Sequence, residues 1–480
     1  MHFLLPFNPN HRVPVLFPFP FPFHFLRRPA SFVLVTVFCS AAVLIVALIL
    51  ASPHRPATSS LLPRLGALIS QFPLASPPTA LLSVISGLGI RSQSQRSPSA
   101  HAISANILNN NNIRATNNAA ADTPLTTMAY EKELKVAQLA VARAAILTKA
   151  VFHEKAKGTV SKDDKSPVTI GDFGAQALII AAIKHNFPAD EVVGEEEASS
   201  LREQKELSSK IWNLVKDARL TDPESDALLG GPLKSEEAML DAIDQGNSAG
   251  GNKGRIWALD PIDGTKGFLR GGQYAVCLAL MVDGDVKVGV LGCPNLPVDD
   301  SAPLTEDMGA AATDAEGKGV LFSAVQGEGA SSQPLTRGPV TKGQPIHVSK
   351  IAKVSEAVMC ESVEPGHSSK GDNALIAEKL GITGRPVQMD SQAKYGSVAR
   401  GAGDLYLRLP VRKDYIEKIW DHAAGDLIVR EAGGQVTDVA GKRLNFSLGR
   451  TLLENKGVVA TPANVHAEVL KAVQEVLGAK

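Results

Sequence analysis

Two early segments carry apolar residues at the spacing of an α-helix. They span 131–152 and 171–186, and Pro188 stops the second one. The polar residues between them, 155–167, predict a loop. The chain after residue 128 is therefore expected to begin with two helices joined by a loop.

Short apolar runs predict strands in the middle of the chain. Residues 274–282 and 286–292 flank Asp283-Gly284-Asp285, and an Asp-Gly turn between apolar runs is typical of a hairpin. The other predicted strands here are 191–194, 255–259, 320–324 and 346–348. Residues 199–254 are charged and Gly-rich with scattered helical segments, and they predict an insertion over the surface.

The last third of the chain alternates between strands and helices. The predicted order is strand 357–360, helix 373–380, a strand at Gln388, helix 392–400, strand 405–409 and helix 419–432. Helices followed by an antiparallel sheet and then by this alternation predict an α+β protein of layered architecture with a second layered domain.

Composition changes abruptly near residue 121. The 480 residues carry no formal net charge, but residues 1–121 contain eight Arg and no Asp, Glu or Lys. All 49 acidic residues therefore follow, with 41 of the 49 basic ones, so the two parts carry about +8 and −8. A net charge of zero gives no global field to attract nucleic acid. Four cysteines without a CxxC pair argue against a disulfide scaffold or a structural zinc site.

Residues 1–127 predict a low-complexity, disordered extension with an apolar segment at 31–51. At about 1.5 Å per residue this segment is long enough to cross a bilayer, and Arg27 and Arg28 precede it. Three interpretations compete: a signal anchor, an organelle-targeting segment, or upstream sequence that is not translated. If translation starts at Met128, we expect a cytoplasmic protein. Otherwise we expect one that is membrane-anchored or targeted to an organelle.

The strongest chemical signal is WALDPIDGTKGF, residues 257–268. An apolar strand is predicted to deliver Asp260 to its end, Pro261 fixes the turn, and Asp263 follows three positions later. Two carboxylates on so tight a loop repel each other unless a cation lies between them, and hard oxygen ligands suit Mg²⁺. By spacing alone, a solvated turn explains the pair equally well.

Three further acidic residues are candidates. Asp421, in WDHAAGDLIVREAGG, is predicted to begin a helix, where its charge suits the positive end of the dipole. Asp172 falls in the first turn of the second predicted helix, and Glu195 follows the strand at 191–194. Taken singly, helix capping explains both aspartates and an exposed acidic run explains Glu195. With the Asp pair at 260 and 263, they supply five carboxylates, enough for two or three Mg²⁺ ions.

Three motifs then follow one another in an order that marks one superfamily. They are Gly-Glu-Glu at 194–196, Asp-Pro-Ile-Asp-Gly-Thr at 260–265 and Trp-Asp-His-Ala-Ala-Gly at 420–425. Over about residues 128–478 the sequence resembles the Mg²⁺-dependent, lithium-sensitive phosphatases that include inositol monophosphatase. The resemblance implies a layered αβαβα sandwich of the α+β class with two sub-domains, which we place at 128–345, with the metal site, and 346–480.

Within that superfamily the chain most closely resembles the fungal bisphosphate nucleotidases, in stretches that include SPVTIGDFGAQ (166–176), DSQAKY (390–395), DLYLRLP (404–410) and EKIWDHAAG (417–425). DSQAKY and PGHSS (365–369) favour a nucleotide substrate. The resemblance implies hydrolysis of the 3′-phosphate of adenosine 3′,5′-bisphosphate to AMP, as in sulfate assimilation, and also of 3′-phosphoadenylyl sulfate. An inositol phosphate phosphatase is the nearest alternative, and a non-catalytic, membrane-tethered nucleotide or Mg²⁺ sensor is another. We expect a monomer acting on a small nucleotide rather than on a nucleic-acid polymer, with membrane contact only if 31–51 is translated.

The resemblance also implies metal ligands. Glu195, Asp260 and the backbone carbonyl of Ile262 would hold one Mg²⁺, and Asp260, Asp263 and Asp421 would hold another.

Catalytic and substrate roles follow from the same resemblance. Asp172, with Glu195, would help to hold a third ion and orient the attacking water. Thr265 would hydrogen-bond Asp172 and that water, and would also contact the substrate. The remaining positions that match nucleotide contacts are His367, Ser391, Lys394 and Arg408.

Overall fold

The computed structural model of the chain describes residues 129–153, 159–161, 167–299, 304, 317–412 and 414–478. The predicted extension at 1–127, with its apolar segment at 31–51, lies outside these residues. Within the described ranges, no helix has both the length and the apolar character needed to cross a membrane. All the candidate site residues lie within those ranges.

Two long helices come first, as predicted: α1 spans Glu131–His153 and α2 spans Ile170–Asn186. The other described α-helices are α3 (Ser199–Glu203), α4 (Lys205–Asp217), α5 (Pro223–Leu228), α6 (Glu236–Asp244), α7 (Thr265–Arg270), α8 (Lys370–Lys379), α9 (Ala393–Ala399), α10 (Ala423–Glu431) and α11 (His466–Gly478). Single 3₁₀ turns occur at Val354–Glu356 and Ile419–Asp421.

The larger sheet has seven strands among the described residues, each hydrogen-bonded to the next in chain order. They are β3 (Glu191–Gly194), β4 (Arg255–Asp263), β5 (Ala275–Val282), β6 (Asp285–Pro297), β7 (Lys318–Val325), β8 (Gly329–Pro334) and β9 (Gln344–Pro345). β3 and β4 run parallel and the other pairs antiparallel. The predicted hairpin is confirmed, because β5 and β6 pair around Asp283-Gly284.

The second sheet is mixed, with five described strands in the order β11-β10-β12-β14-β13. Its strands are β10 (Met359–Glu361), β11 (Val387–Gln388), β12 (Leu405–Arg408), β13 (Gly434–Thr437) and β14 (Val458–Pro462). β10 is parallel to both β11 and β12, and β14 is antiparallel to β12 and β13.

Two local predictions were wrong. The segment 155–167, predicted as a loop, contains β1 (Thr159–Ser161), which pairs antiparallel with β2 (Pro167–Thr169). The strand predicted at 346–348 is displaced to β9, and the N–H of Val348 instead donates to the carbonyl of Ala432.

The layers follow from the alternation of side chains along β5. Val276 and Leu278 face an apolar cluster with α1 and α2, whereas Cys277 and Ala279 face a cluster that includes α9, α10 and the second sheet. Helices α8 and α11 pack on the outer side of the second sheet. The order helix, sheet, helix, sheet, helix confirms the predicted αβαβα sandwich. The division into sub-domains at residue 345 stays a prediction.

The prediction of a surface insertion at 199–254 was wrong for one face of its helices. Ile211 in α4 and Met239 in α6 are fully buried and join a core cluster with Phe173 of α2. The charged residues of this segment occupy the opposite helix faces, so an average over the segment conceals its apolar positions.

His466, at the start of α11, is expected to make stability depend on pH. Its ring is buried between the hydroxyls of Thr461 and Thr437, each 3.0 Å from a ring nitrogen. Burial lowers the pKa of His466 from 6.5 to about 4. His466 therefore binds a proton at about pH 6.5 in the unfolded chain but only at about pH 4 in the folded chain. Because protonation favours the unfolded chain, the free energy of unfolding falls as the pH falls through this window. We expect this ring to contribute a loss of about 2 kcal/mol between pH 7 and 5.

Urea titrations at each pH would measure this loss. His466→Gln should reduce the loss of stability between pH 7 and 5 by about 2 kcal/mol, because only the contribution of this ring is removed. His347→Gln, at an exposed position, should leave it unchanged. An equally steep profile in His466→Gln would contradict the assignment.

Candidate active site

A bulge in β4 places two aspartates on one side of the sheet. Asp260 lies opposite Cys277 and Asp263 opposite Ala275, so three steps along β4 match two along β5. In a regular strand, side chains three positions apart point to opposite faces, and one extra residue restores them to the same face. Pro261, which has no N–H, suits a position without a ladder hydrogen bond. Asp260 therefore lies within the strand, not at its end as predicted.

A third carboxylate reaches this point from the C-terminal part of the chain. One oxygen each of Asp260, Asp263 and Asp421 lies within 4.8 Å of the others. Asp421 ends a 3₁₀ turn, and α10 begins two residues later, because His422 leaves the helical conformation at φ −137°. The helix predicted over 419–432 is thus split at this residue, and the structure places Asp421 just before the α-helix.

The surroundings of Asp260 bring all five candidate carboxylates together. Burial raises the pKa of Asp260 well above its ordinary value, and the charges of Glu195, Asp263, Asp421 and Asp172 raise it further. Burial also raises the pKa of Asp263 to about 6 and that of Asp421 to about 7. Acidic groups from four separate segments therefore disfavour one another's ionised form.

The donor set fits a hard divalent cation. The buried Oδ1 of Asp260 has no hydrogen-bond partner among the described protein groups. A cation beside it would satisfy this oxygen and offset the repulsion between the carboxylates. Every candidate ligand is an oxygen atom, which excludes the soft-metal class. The residues present could thus hold a metal ion.

A second acidic cluster lies nearby, but side chains within it already bond to other protein groups. Glu417, Asp421 and His422 also approach within 4.8 Å. However, Glu417 accepts from Nε of Arg408 at 2.8 Å, and its other oxygen lies 2.8 Å from Nη2. Nδ1 of His422 is 2.9 Å from the Tyr395 hydroxyl and Nε2 is 3.3 Å from Glu417. We therefore favour the three-aspartate cluster as the metal site.

The ion pair of Arg408 faces this cluster. Nη2 of Arg408 lies 3.9 Å from Asp421. Burial opposes ionisation of Glu417, but the charge of Arg408 and the hydrogen bond from His422 outweigh it and lower the pKa of Glu417 to about 2. Glu417 thus fixes a partly buried guanidinium at the edge of the carboxylate cluster.

Lys394 and His367 line the same cleft as Arg408. The buried Lys394 donates to the carbonyls of Met389 at 3.2 Å and Ser391 at 2.9 Å, and burial lowers its pKa to about 8. Burial and the charges of Arg408 and Lys394 lower the pKa of His367 to about 4, so its ring is neutral at pH 7.

Glycine is required where two loops of the site meet. Gly264 has φ +87°, and a Cβ there would lie 3.0 Å from the Cβ of Ser391. Ser391 itself has φ 69°. The loop after β4 and the loop before α9 can therefore approach only with Gly264 between them.

Two residues that sequence reasoning missed hold the Glu195 loop. Gln176 donates to the carbonyl of Glu196 at 2.7 Å and accepts from its N–H at 3.0 Å. Arg450 donates to the carbonyls of Gly194 at 2.7 Å and Ser248 at 2.9 Å, and its guanidinium lies 4.9 Å from the Trp420 ring centre. The signal for Gln176 was its place four residues after Asp172, on the same helix face. Arg450 offers no comparable local signal.

Most of the predicted site residues line one cleft with a volume of about 590 Å³. Its lining includes the candidates Glu195, Asp260, Ile262, Asp263, Thr265, His367, Ser391, Lys394, Arg408 and Asp421. Asp172 is buried in the first turn of α2. The hydroxyl of Thr265 donates to the carbonyl of Ile262 at 3.2 Å. The predicted hydrogen bond between Thr265 and Asp172 stays a prediction.

Comparison with known proteins relates the sequence to one family. The model of the inositol monophosphatase family matches residues 129–477. The 3′(2′),5′-bisphosphate nucleotidase of Emericella nidulans is 67% identical over 350 residues, 73% of this chain and 99% of that protein. The enzyme of the same name from Schizosaccharomyces pombe is 47% identical over 354 residues, 73% and 97% of the two chains. The solved structure of Thermotoga maritima IMPase has a TM-score of 0.46 and 22% identity, and the match covers 72% of this chain and 98% of that one.

The family model spans well over half of the chain. The chain therefore belongs to the inositol monophosphatase family. The family and its two named relatives identify it as an enzyme of the phosphatase class.

Proposed function

We propose that this protein removes the 3′-phosphate from adenosine 3′,5′-bisphosphate, giving AMP and inorganic phosphate, and that it also accepts 3′-phosphoadenylyl sulfate. The observation that carries the proposal is a single cleft in which three aspartates face two cations, the buried Lys394 and the partly buried Arg408. The names of the relatives at 67% and 47% identity support the choice of a nucleotide bisphosphate.

We propose that the carboxylate cluster holds two to three Mg²⁺ ions, because every available ligand is oxygen. The ligands would be the carboxylates of Glu195, Asp260, Asp263 and Asp421 and the carbonyl of Ile262. When bound, Mg²⁺ lowers the pKa of water and stabilises the charge that develops on the departing oxygen.

The protein's own groups position the reactants. Phosphoryl transfer depends on in-line geometry and charge stabilisation more than on covalent chemistry. Arg408, fixed by Glu417, would donate to oxygens of the substrate, and Lys394 would add a second charge. Asp172 and Thr265 would accept and donate hydrogen bonds that orient the attacking water.

Two further residues would recognise the nucleotide. His367, neutral at pH 7 because of its lowered pKa, would form hydrogen bonds without adding charge. Ser391, beside Lys394 in the cleft, would offer a hydroxyl to the same ligand. The cleft volume suits one small molecule rather than a polymer. We propose that the enzyme acts as a monomer and, with translation from Met128, in the cytoplasm.

A comparative phosphate-release assay tests this function. The full chain with Mg²⁺ should release phosphate faster from adenosine 3′,5′-bisphosphate than from inositol 1-phosphate. The opposite order would favour the inositol phosphate alternative. Nucleotide binding without any Mg²⁺-dependent turnover would favour the sensor alternative.

A further inference from the structure

A second cavity lies on the outer side of the five-stranded sheet, beside its β11 edge. It has a volume of about 420 Å³, and it shares no lining residue with the catalytic cleft among the residues described. One wall is a single face of α8, which presents Lys370, Asn373, Ala374 and Ala377 at helical spacing. The opposite wall comes from β10 and the segment that leads into β11.

Complementary charged and polar groups lie at one end of this cavity. Glu361 of β10 and Asn373 are only 7% and 1% exposed. Burial raises the pKa of Glu361, and the nearby Asn373 amide and Lys370 ammonium oppose this effect. Oδ1 of Asn373 has no hydrogen-bond partner among the described groups. Lys370 donates to the carbonyl of Val363 at 3.1 Å, which leaves two of its three donors for another acceptor.

Lys370 and Glu361 face the cavity without forming an ion pair with each other among the described residues. The buried Asn373 oxygen also lacks a hydrogen-bond donor among the described groups. The side of the cavity that carries Glu361 therefore has two groups that can accept hydrogen bonds from a ligand. A ligand that bridges this gap must place an ammonium group near Glu361 and Asn373 and a carboxylate near Lys370.

One side of the remaining lining is apolar, while Glu378 and Thr383 contribute polar groups elsewhere in it. Met359 and Ile382 are buried in its lining, and Ala377 and Pro386 complete that side. An aliphatic group here would be removed from water.

We infer that this cavity binds a free α-amino acid with an aliphatic side chain, its ammonium group held by Glu361 and Asn373 and its carboxylate by Lys370. The volume is ample for one amino acid of leucine's size.

The cavity is connected to the catalytic cleft through Ser368. Nδ2 of Asn373 lies 3.5 Å from the Ser368 hydroxyl, which donates to the carbonyl of Leu407 at 3.2 Å and accepts from the N–H of Leu409 at 3.0 Å. These two residues flank Arg408. An amino acid that contacts Asn373 would therefore be linked, through the Ser368 hydroxyl, to the backbone on both sides of Arg408.

Isothermal titration of the full chain with L-leucine tests the inference directly. We expect a dissociation constant below about 1 mM. Two leucine analogues separate the charges: 3-methylbutylamine lacks the carboxylate and 4-methylpentanoate lacks the amine. Each should bind at least about tenfold more weakly than leucine, because one charge-assisted contact is lost.

Variants locate the site and identify the partner of each group. Lys370→Met, at a partly exposed position, should reduce leucine affinity to that of the amine. Glu361→Gln should weaken leucine and the amine equally. Glu468→Gln, exposed on α11, and Asp263→Asn, in the catalytic cleft, should both retain leucine binding.

The outcome does not depend on turnover, so it is separable from the proposed function. Absence of binding at about 20 mM leucine would overturn the inference. So would equal leucine affinity in the wild-type chain and Lys370→Met, or loss of binding in Asp263→Asn.

Discussion

Asp263→Asn is expected to lower the rate of phosphate release by at least about 10²–10³-fold. The substitution removes a negative charge from the three-aspartate cluster and keeps the volume of the side chain. The oxygen that accepts a hydrogen bond from the N–H of Gln392 also remains available. Initial rates at saturating Mg²⁺ would measure the loss.

The fold of Asp263→Asn should survive, because the cluster is unfavourable in the protein alone. Burial and neighbouring acids raise the pKa of Asp260, Asp263 and Asp421, so a neutral amide relieves repulsion. A thermal melt without Mg²⁺ should show no decrease in the midpoint. Asp283→Asn, in the β5–β6 turn of the same sheet, is the control and should leave turnover unchanged. Gross unfolding of Asp263→Asn would count against the assignment.

Glu417→Gln should raise KM for the nucleotide at least about tenfold, with a smaller effect on kcat. Glu417 holds both Nε and Nη2 of Arg408 in a partly buried, charge-assisted pair. The amide keeps the shape but offers only one acceptor, so Arg408 would lose its fixed position. Leaving a partly buried guanidinium without its countercharge should also lower the free energy of unfolding by about 3 kcal/mol.

A matched ion pair separates these effects from a general loss of charge. Lys379 and Glu475 form an ion pair at 2.7 Å, and both side chains are exposed and lie outside the lining of the catalytic cleft. Glu475→Gln should change the free energy of unfolding by less than about 1 kcal/mol and leave KM unaltered. If Glu417→Gln left both quantities at wild-type values, Glu417 would not be a positioning residue for Arg408.

Local signals were sufficient for much of the fold. The helices at 131–152 and 171–186 and the strand at 191–194 agree with the structure because their apolar spacing is set within a few residues. The prediction of a surface insertion at 199–254 was wrong because the packing of this segment depends on contacts with distant residues. Its helices bury narrow apolar faces against α2, and that contact is not visible in the composition of the segment.

The site residues that belong to the three sequence motifs were predictable, whereas residues outside these motifs were not. The order of the three motifs indicated the carboxylates at 195, 260, 263 and 421, and the structure brings them together. Glu417 was visible only as part of the stretch EKIWDHAAG. Arg450 bonds Gly194 from 256 positions away, a contact that only the tertiary fold creates.

The bulge in β4 was beyond sequence reasoning, because register depends on the partner strand. It makes the site sensitive to the number of residues between Asp260 and Asp263 as well as to their identity. Adding one residue to this segment with the bulge retained would make four steps along β4 match three along β5, and would turn one carboxylate towards the helices on the far side of the sheet. We therefore expect an insertion between Asp260 and Asp263 to separate the two carboxylates even where single side chains here could be exchanged.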